Sequence, residues 1–163
     1  ALEMITASSV DVMYLVDSFG SLYPENASEL AKIYLTAAEK TGKKVGFHAH
    51  NNQNLAFANT IETMSYGVSY LDATAQGMGR GAGNCPMELL LGFLKNPKYN
   101  LYNLLLFIEN YMLPLKEQGV SWGYDLQYMF TGQLNCHPRE AIDFTAKKRT
   151  DYSEFYKYLL ENY

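Results

Sequence analysis

His48 and His50 end the segment Lys44-Val45-Gly46-Phe47-His48-Ala49-His50-Asn51-Asn52. A His-x-His pair at the end of a β-strand is a compact way to hold a metal ion. Side chains alternate faces along a strand, so the two imidazoles point the same way, and neutral imidazole is a common metal ligand. The pair leaves the metal open: a first-row divalent ion with a carboxylate as third ligand would complete a two-His-one-carboxylate face. Asp17 and Asp72 are the local candidates. Each has a plainer reading as an Asx turn or cap, and the histidines have one as a hydrogen-bonded structural pair. Metal binding is the favoured reading of the pair.

Other residues near these positions carry weaker signals. The loop Gln76-Gly77-Met78-Gly79-Arg80-Gly81-Ala82-Gly83-Asn84 could cradle an anion with backbone N–H groups. It lacks the Gly-Lys-Ser/Thr of a P-loop and the spacing of a dinucleotide fingerprint. Asn84 reads as an N-cap of the next helix, with slightly more weight, or as an amide oxygen aimed into the site. Cys85 has no adjacent basic partner and reads as a buried structural thiol. No His-Glu-x-x-His is present, which argues against a zinc protease.

These residues need elements to hold them. The β-branched run Val12 to Val16 predicts a buried strand, Glu25 to Lys40 a helix between Pro24 and Gly42, and Val45 to His50 a second strand. Asn54 to Tyr66 predicts a helix, Val68 to Ala73 a third strand, and a further helix starts near Pro86. The order β-α-β-α-β-α implies parallel strands with helices packed outside them, an α/β fold. It also sets the chain apart from the all-β cupins, which share the His-x-His pair. In parallel α/β folds, sites lie beyond the C-terminal ends of the strands. Asp17 and Ser18, His48 and His50, and Asp72 with the glycine loop all fall there. From Asn96-Pro97 onward the alternation stops. Leu101 to Lys116 predicts a helix kinked or broken at Pro114, and 138–148 and 151–162 predict two more. The expected division is a partial barrel over 1–97 and a helical extension over 98–163.

With 48% hydrophobic and 18% charged residues and a net charge of -4, the chain has an ordinary globular profile. Its mild acidity argues against nucleic acid or an anionic membrane as partner. No apolar run approaches the roughly 18 residues of a membrane span. Two isolated cysteines make no disulfide framework, and a cytoplasmic location is expected. The opening Ala-Leu-Glu-Met-Ile-Thr has no basic n-region. It resembles the tail of a helix and lacks an initiator Met, so a piece of a longer protein is expected. The many tyrosines of the last third suggest packed helices or a subunit contact.

Three segments together resemble the metal-dependent pyruvate aldolase and lyase superfamily of TIM barrels. They are Asp17-Ser18-x-Gly20, Gly46-x-His48-Ala49-His50-Asn51-Asn52-x-Asn54-Leu55-Ala56, and Asp72-Ala73 through Gly77-Met78-Gly79-x-Gly81-Ala82-Gly83-Asn84-x-Pro86-x-Glu88. The superfamily includes hydroxymethylglutaryl-CoA lyase and isopropylmalate synthase, and the likeness is greatest to its 4-hydroxy-2-oxovalerate aldolase branch. The resemblance implies strands six to eight of the barrel followed by a helical extension. It implies that His48 and His50 bind a divalent metal, Mn²⁺ before Mg²⁺, Co²⁺ or Zn²⁺, with Asn84 a further ligand. It implies that Ser18 and His48 face the 2-oxo acid, and that Tyr128, in Gly123-Tyr124-x-x-x-Tyr128, is the catalytic tyrosine. The implied reaction makes or breaks a C–C bond in a 2-oxo acid through a metal-stabilised enolate. The implied partners are a homo-oligomeric copy and an aldehyde dehydrogenase.

The superfamily's first-strand Asp-x-Thr-x-Arg-Asp-Gly, with its third ligand, is absent. Arg80 stands where the aldolase loop is usually small and could meet a carboxylate on a different substrate. Two other readings stay open: an acyl-CoA-dependent synthase of the isopropylmalate type, and a non-catalytic module derived from the barrel. Three βα units leave two open sheet edges, so the 163 residues alone are expected to be inactive and to self-associate or bind metal weakly.

Overall fold

The computed structural model describes residues 2–163. After a short helix α1 (Leu2–Ala7), strands β1 (Val12–Asp17), β2 (Lys44–Ala49) and β3 (Tyr70–Leu71) alternate with helices α2 (Pro24–Glu39), α3 (Ala56–Ser65) and α4 (Met87–Leu94). The strands form one parallel sheet in the order β1-β2-β3. Tyr14, Gly46 and Tyr70 stand side by side, as do Val16 and His48.

Strand alternation sorts the two faces. Met13, Leu15, Val45, Phe47 and Ala49 are buried against the helices. On the helix side, Ala27, Ala31 and Ala38 of α2 and Ala56 of α3 are also buried. Such small residues let the helices lie close to the sheet. The opposite face holds Tyr14, Val16 and Tyr70, all exposed, together with His48. An apolar and polar mixture on a sheet face with both edges open is what the inner wall of an incomplete barrel would show.

The paired part of β3 is shorter than the predicted 68–73. It borders only β2, and extended pairing continues just through Ser69 N–H to Val45 O (3.1 Å) and Asp72 N–H to Phe47 O (3.1 Å). Pro114 does not break its helix. The path runs from α5 (Leu101–Phe107) through one wide π-turn (Ile108–Met112) into α6 (Leu113–Glu117). There Leu113 N–H reaches back five residues to Ile108 O. Proline has no N–H to give and crowds the carbonyl four residues earlier, and a widened turn accommodates both facts.

The extension contains one helix that sequence reasoning did not predict, α7 (Leu126–Gln133), opened by Asp125, whose carboxylate accepts from Leu126 N–H. With α8 (Arg139–Ala146) and α9 (Tyr152–Asn162) it builds a second core of Cys136, Phe144, Phe155 and Leu159, with Phe130, Leu134 and Tyr152 packed around it. Phe144 and Phe155 stack with centroids 4.5 Å apart. Among the described residues no helix is long and apolar enough to cross a membrane.

Candidate metal and substrate site

His48 and His50 leave the end of β2 on the sheet's open face. His48 Nδ1 lies 3.0 Å from Asp72 Oδ2, and His50 Nδ1 lies 3.0 Å from the main-chain oxygen of Asp17. A carbonyl oxygen only accepts, so His50 carries its proton on Nδ1, and an ionised Asp72 sets the same tautomer on His48. Both Nε2 atoms then present lone pairs. A ring N–H fixed by a carboxylate or carbonyl is the usual outer support of a metal-bound histidine. The ring centroids are 5.2 Å apart at 78°. Two rings sharing one ion at about 2.1 Å from each nitrogen would have centroids about 5 Å apart. The residues present therefore fit a divalent metal.

Asn84 adds to that fit. Its backbone bridges to His50, its Nδ2 donates to Met78 O at 3.0 Å, and its Oδ1 is buried without a partner. A buried acceptor left unpaired is costly, and a metal would relieve it. Asn84 is not an N-cap: α4 starts at Met87 with Pro86 before it, so Asn84 sits too far upstream.

Neither local aspartate is placed as a third ligand. Asp17 is 4% exposed, and its carboxylate accepts from Ser21 N–H (3.0 Å) and Leu22 N–H (3.2 Å), which makes it the organiser of its own turn. Asp72 is committed to Nδ1, the far side of the His48 ring from the free lone pair. Among the described residues, no three His, Cys, Asp or Glu side chains converge on one ion position.

Burial shifts the local titrations. It raises Asp17 above the ordinary carboxylate value, against the lowering effect of the Ser21 and Leu22 amides. It raises the Tyr14 phenol, with Asp72 adding to the shift. It lowers His50, which the Asp17 carbonyl opposes and the charges of His48 and Arg80 reinforce. The sign for His50 follows: the fold disfavours its protonated form, so its stabilising contribution is complete above the unfolded value near 6.5 and is lost as pH falls below it. In metal-stripped full-length protein, the melting temperature of wild type relative to His50→Gln should fall between pH 7 and 5. A constant difference across that window would refute the neutral-imidazole assignment.

The glycine loop is closed on itself at both ends, while the N–H groups of Gly79, Arg80, Gly81 and Ala82 donate to no group among the described residues. Gly77 N–H bonds Thr74 O, Met78 N–H bonds Ala75 O, Gly83 N–H bonds Arg80 O and Asn84 N–H bonds Gly77 O, all within 3.0 Å. The loop is pinned from outside by Trp122 Nε1–H to Gln76 O (2.9 Å) and Gly123 N–H to Gly81 O (3.0 Å). It is tied to the histidine strand by Asn51 N–H to Gly83 O at 2.8 Å.

Tyr128, from α7, packs its ring on Gly81, so closely that a Cβ there would sit 2.5 Å from Cε1. Its main-chain oxygen accepts from Nδ2 of the buried Asn52 at 3.2 Å. Ser18 is exposed, and its main-chain oxygen receives Arg80 Nη2 at 3.3 Å. The structure thus joins His50, Ser18, Arg80, Asn84 and Tyr128 around one loop system. Asn52 and Gly132 were missed as positioning residues. Asn52 stands in the quoted His-Ala-His-Asn-Asn run, but nothing in the sequence around Gly132 marks it. The apolar cavity of about 470 Å³ lined by Met64, Val68, Leu71, Leu90 and Tyr99 lies on the helix-covered side of β3, away from this chemistry.

Comparison with known proteins agrees with this architecture. Residues 1–106 match the HMGL-like family. The chain is 42% identical over 117 residues to the 4-hydroxy-2-oxovalerate aldolase of Thermus thermophilus, covering 69% of this chain and 33% of that enzyme. It is 42% identical over 86 residues to the oxaloacetate decarboxylase of Mycobacterium tuberculosis, covering 53% of this chain and 25% of that protein. The N-terminal domain of a Bacteroides vulgatus protein described as an aldolase superposes with a TM-score of 0.67 at 37% identity, over 83% of this chain and 45% of that one. The chain spans 25% to 40% of the length of the curated relatives it matches.

Proposed function

The chain belongs to the HMGL-like family, and from that premise we propose that the full-length protein is a divalent-metal-dependent carbon–carbon lyase acting on 2-oxo acids, of the 4-hydroxy-2-oxovalerate aldolase kind. The observation that carries the proposal is the histidine pair, each Nδ1 occupied by a local acceptor and each Nε2 left for a ligand. His48 and His50 hold the ion, Mn²⁺ first, and Asn84 offers Oδ1 beside them. When bound, the ion supplies Lewis acidity that polarises the 2-oxo group and stabilises the negative charge appearing on the pyruvate portion as the C–C bond opens.

The chain's own groups do the rest. Asp72 and the Asp17 carbonyl fix both rings in the ligating tautomer. Ser18, next to Asp17, offers its hydroxyl to the 2-oxo acid. Tyr128, seated on Gly81, donates a hydrogen bond to the oxygen of the departing aldehyde. The third carboxylate ligand and the proton acceptor are assigned to the part of the relatives' length that these residues do not span. An aldehyde dehydrogenase is a chemically suitable consumer of the released aldehyde, and the protein is placed in the cytoplasm as a homo-oligomer.

The test is proton exchange. Metal-loaded full-length protein should exchange the methyl protons of pyruvate in heavy water, followed by NMR, and the metal-stripped protein should not. Exchange indifferent to metal would sink the proposal.

A further inference from the structure

Arg80 is the one feature of this site that the proposed reaction does not yet use. Three observations define it. First, its position is fixed from both sides: Gly79 backs onto the Asn84 side chain, and Gly81 lies under the Tyr128 ring. The arginine thus stands in sequence between the glycine against the Asn84 amide and the glycine under the tyrosine, and its side chain reaches Ser18 O. Second, only one of its five N–H donors is engaged, Nη2 to Ser18 O. Third, its charge is uncompensated. The ion pairs among the described residues are His48–Asp72 and Arg149–Asp151, so no carboxylate stands within ion-pair distance of Arg80. Asp17, next to Ser18, is committed to the Ser21 and Leu22 amides, and Asp72 to His48. An exposed guanidinium at the mouth of an active site, held by one bond and facing no anion, is a receptor for one.

We propose that Arg80 binds a second carboxylate of the substrate, borne on the carbonyl fragment that departs, so that the preferred substrates are 4-hydroxy-2-oxo diacids. The inference rests on the aldolase reading above. The pyruvate portion and its own carboxylate lie at the histidines. The departing fragment lies against Tyr128, and Arg80 is the next residue along the loop from the glycine under that ring. A forked pair of N–H donors suits a terminal carboxylate at that end. The acid is attached to C4, the carbon that becomes the aldehyde, and Arg80, which stays protonated, holds it there as a binding contact that selects the substrate and moves no proton.

Two probes separate the possibilities in the metal-loaded full-length protein. 4-Hydroxy-2-oxoglutarate cleaves to pyruvate and glyoxylate, an acid fragment. 4-Hydroxy-2-oxovalerate cleaves to pyruvate and acetaldehyde, a neutral one. Arg80→Ala should raise KM for the diacid about 10- to 100-fold while leaving the monoacid unchanged, and Arg80→Lys should recover part of the loss. Equal losses on both substrates would place Arg80 on the shared carboxylate, and no loss on either would leave it without a role. Both results overturn the assignment and leave the aldolase reading standing. Calorimetry adds a readout independent of turnover, with 2-oxoglutarate against 2-oxobutyrate on wild type and Arg80→Ala. If wild type cleaves neither hydroxy acid, the aldolase reading fails. Calorimetry then decides Arg80 by itself: a diacid preference abolished in Arg80→Ala supports the anion site, and equal binding overturns it.

Discussion

His48→Ala in the full-length protein is expected to lower metal affinity by more than about 100-fold and to abolish metal-dependent turnover, because it removes one of two imidazoles that the structure holds ready on one face. The scale follows from the outer partners, whose loss alone typically costs about 10- to 100-fold. Asp72→Asn should fall in that lower range. Its amide oxygen can still accept from His48 Nδ1–H, but without the charge that makes the ring a stronger ligand. Asp17→Asn should behave differently. His50 is oriented by the main-chain oxygen of Asp17, which substitution keeps. The carboxylate itself serves Ser21 and Leu22 N–H, so that variant should lose about 1 kcal/mol of stability and retain its metal. Metal analysis after gel filtration, with competition titration for affinity, checks all three. Unchanged metal in His48→Ala removes the ligand assignment. Equal metal loss in Asp17→Asn and Asp72→Asn removes the tautomer argument.

That contrast also shows which parts of the site were legible in the sequence. The period-2 pattern put His48 and His50 on one face, and the alternation of strands and helices put both at the sheet's C-terminal end. Both deductions need only local geometry, and the structure agrees with them. The roles of the aspartates were not legible. Whether a carboxylate ligates a metal, supports a ring or closes a turn depends on which atom faces it across 24 residues of chain for Asp72, and on a loop only four residues on for Asp17. Asn84 was weighed as a cap because Pro86 and the apolar run after it announce a helix. The first turn begins at Met87, and the asparagine is left over the site with its oxygen unpaired. Pro114 was read as a kink or a break because proline removes a bond, and the widened turn just before it absorbs that loss without ending the helix. The helix α7 stayed hidden in a tyrosine-rich stretch where Gly123, Asp125 and Gly132 blur the period. The Asp125 cap was the one local signal for it, and its packing against α8, α9 and the Asn52 loop is tertiary, which no local pattern reports.

Docking of that helix sets the second large effect. Gly132 faces the barrel so closely that a Cβ would lie 2.9 Å from Asn52 Cβ and 3.0 Å from Gly20 O. Gly20 O belongs to the backbone and cannot turn aside. Gly81 has φ +59°, and a Cβ there would meet the Tyr128 ring. The left-handed backbone costs a non-glycine residue about 1–2 kcal/mol, and the ring must also leave its seat. Gly81→Val and Gly132→Val therefore displace Tyr128 by two routes, one from beneath the ring and one through its helix. Each should lower kcat for aldol cleavage about 100-fold, the usual scale for a catalytic proton donor, with a much smaller loss of metal, because neither His48 nor His50 is among the nearest atoms a Cβ would meet at either glycine. Gly92→Ala is the matched control. It lies within α4 with nothing within 4 Å of its Cβ position, and alanine there should stabilise by about 0.4–1 kcal/mol with full activity. Pyruvate proton exchange separates the outcomes further. It needs the metal but not the departing aldehyde, so both valine variants should retain it while losing cleavage. If exchange and cleavage fell together, Tyr128 would not be the group that serves the departing fragment, and the extension would be acting on the metal end of the site instead.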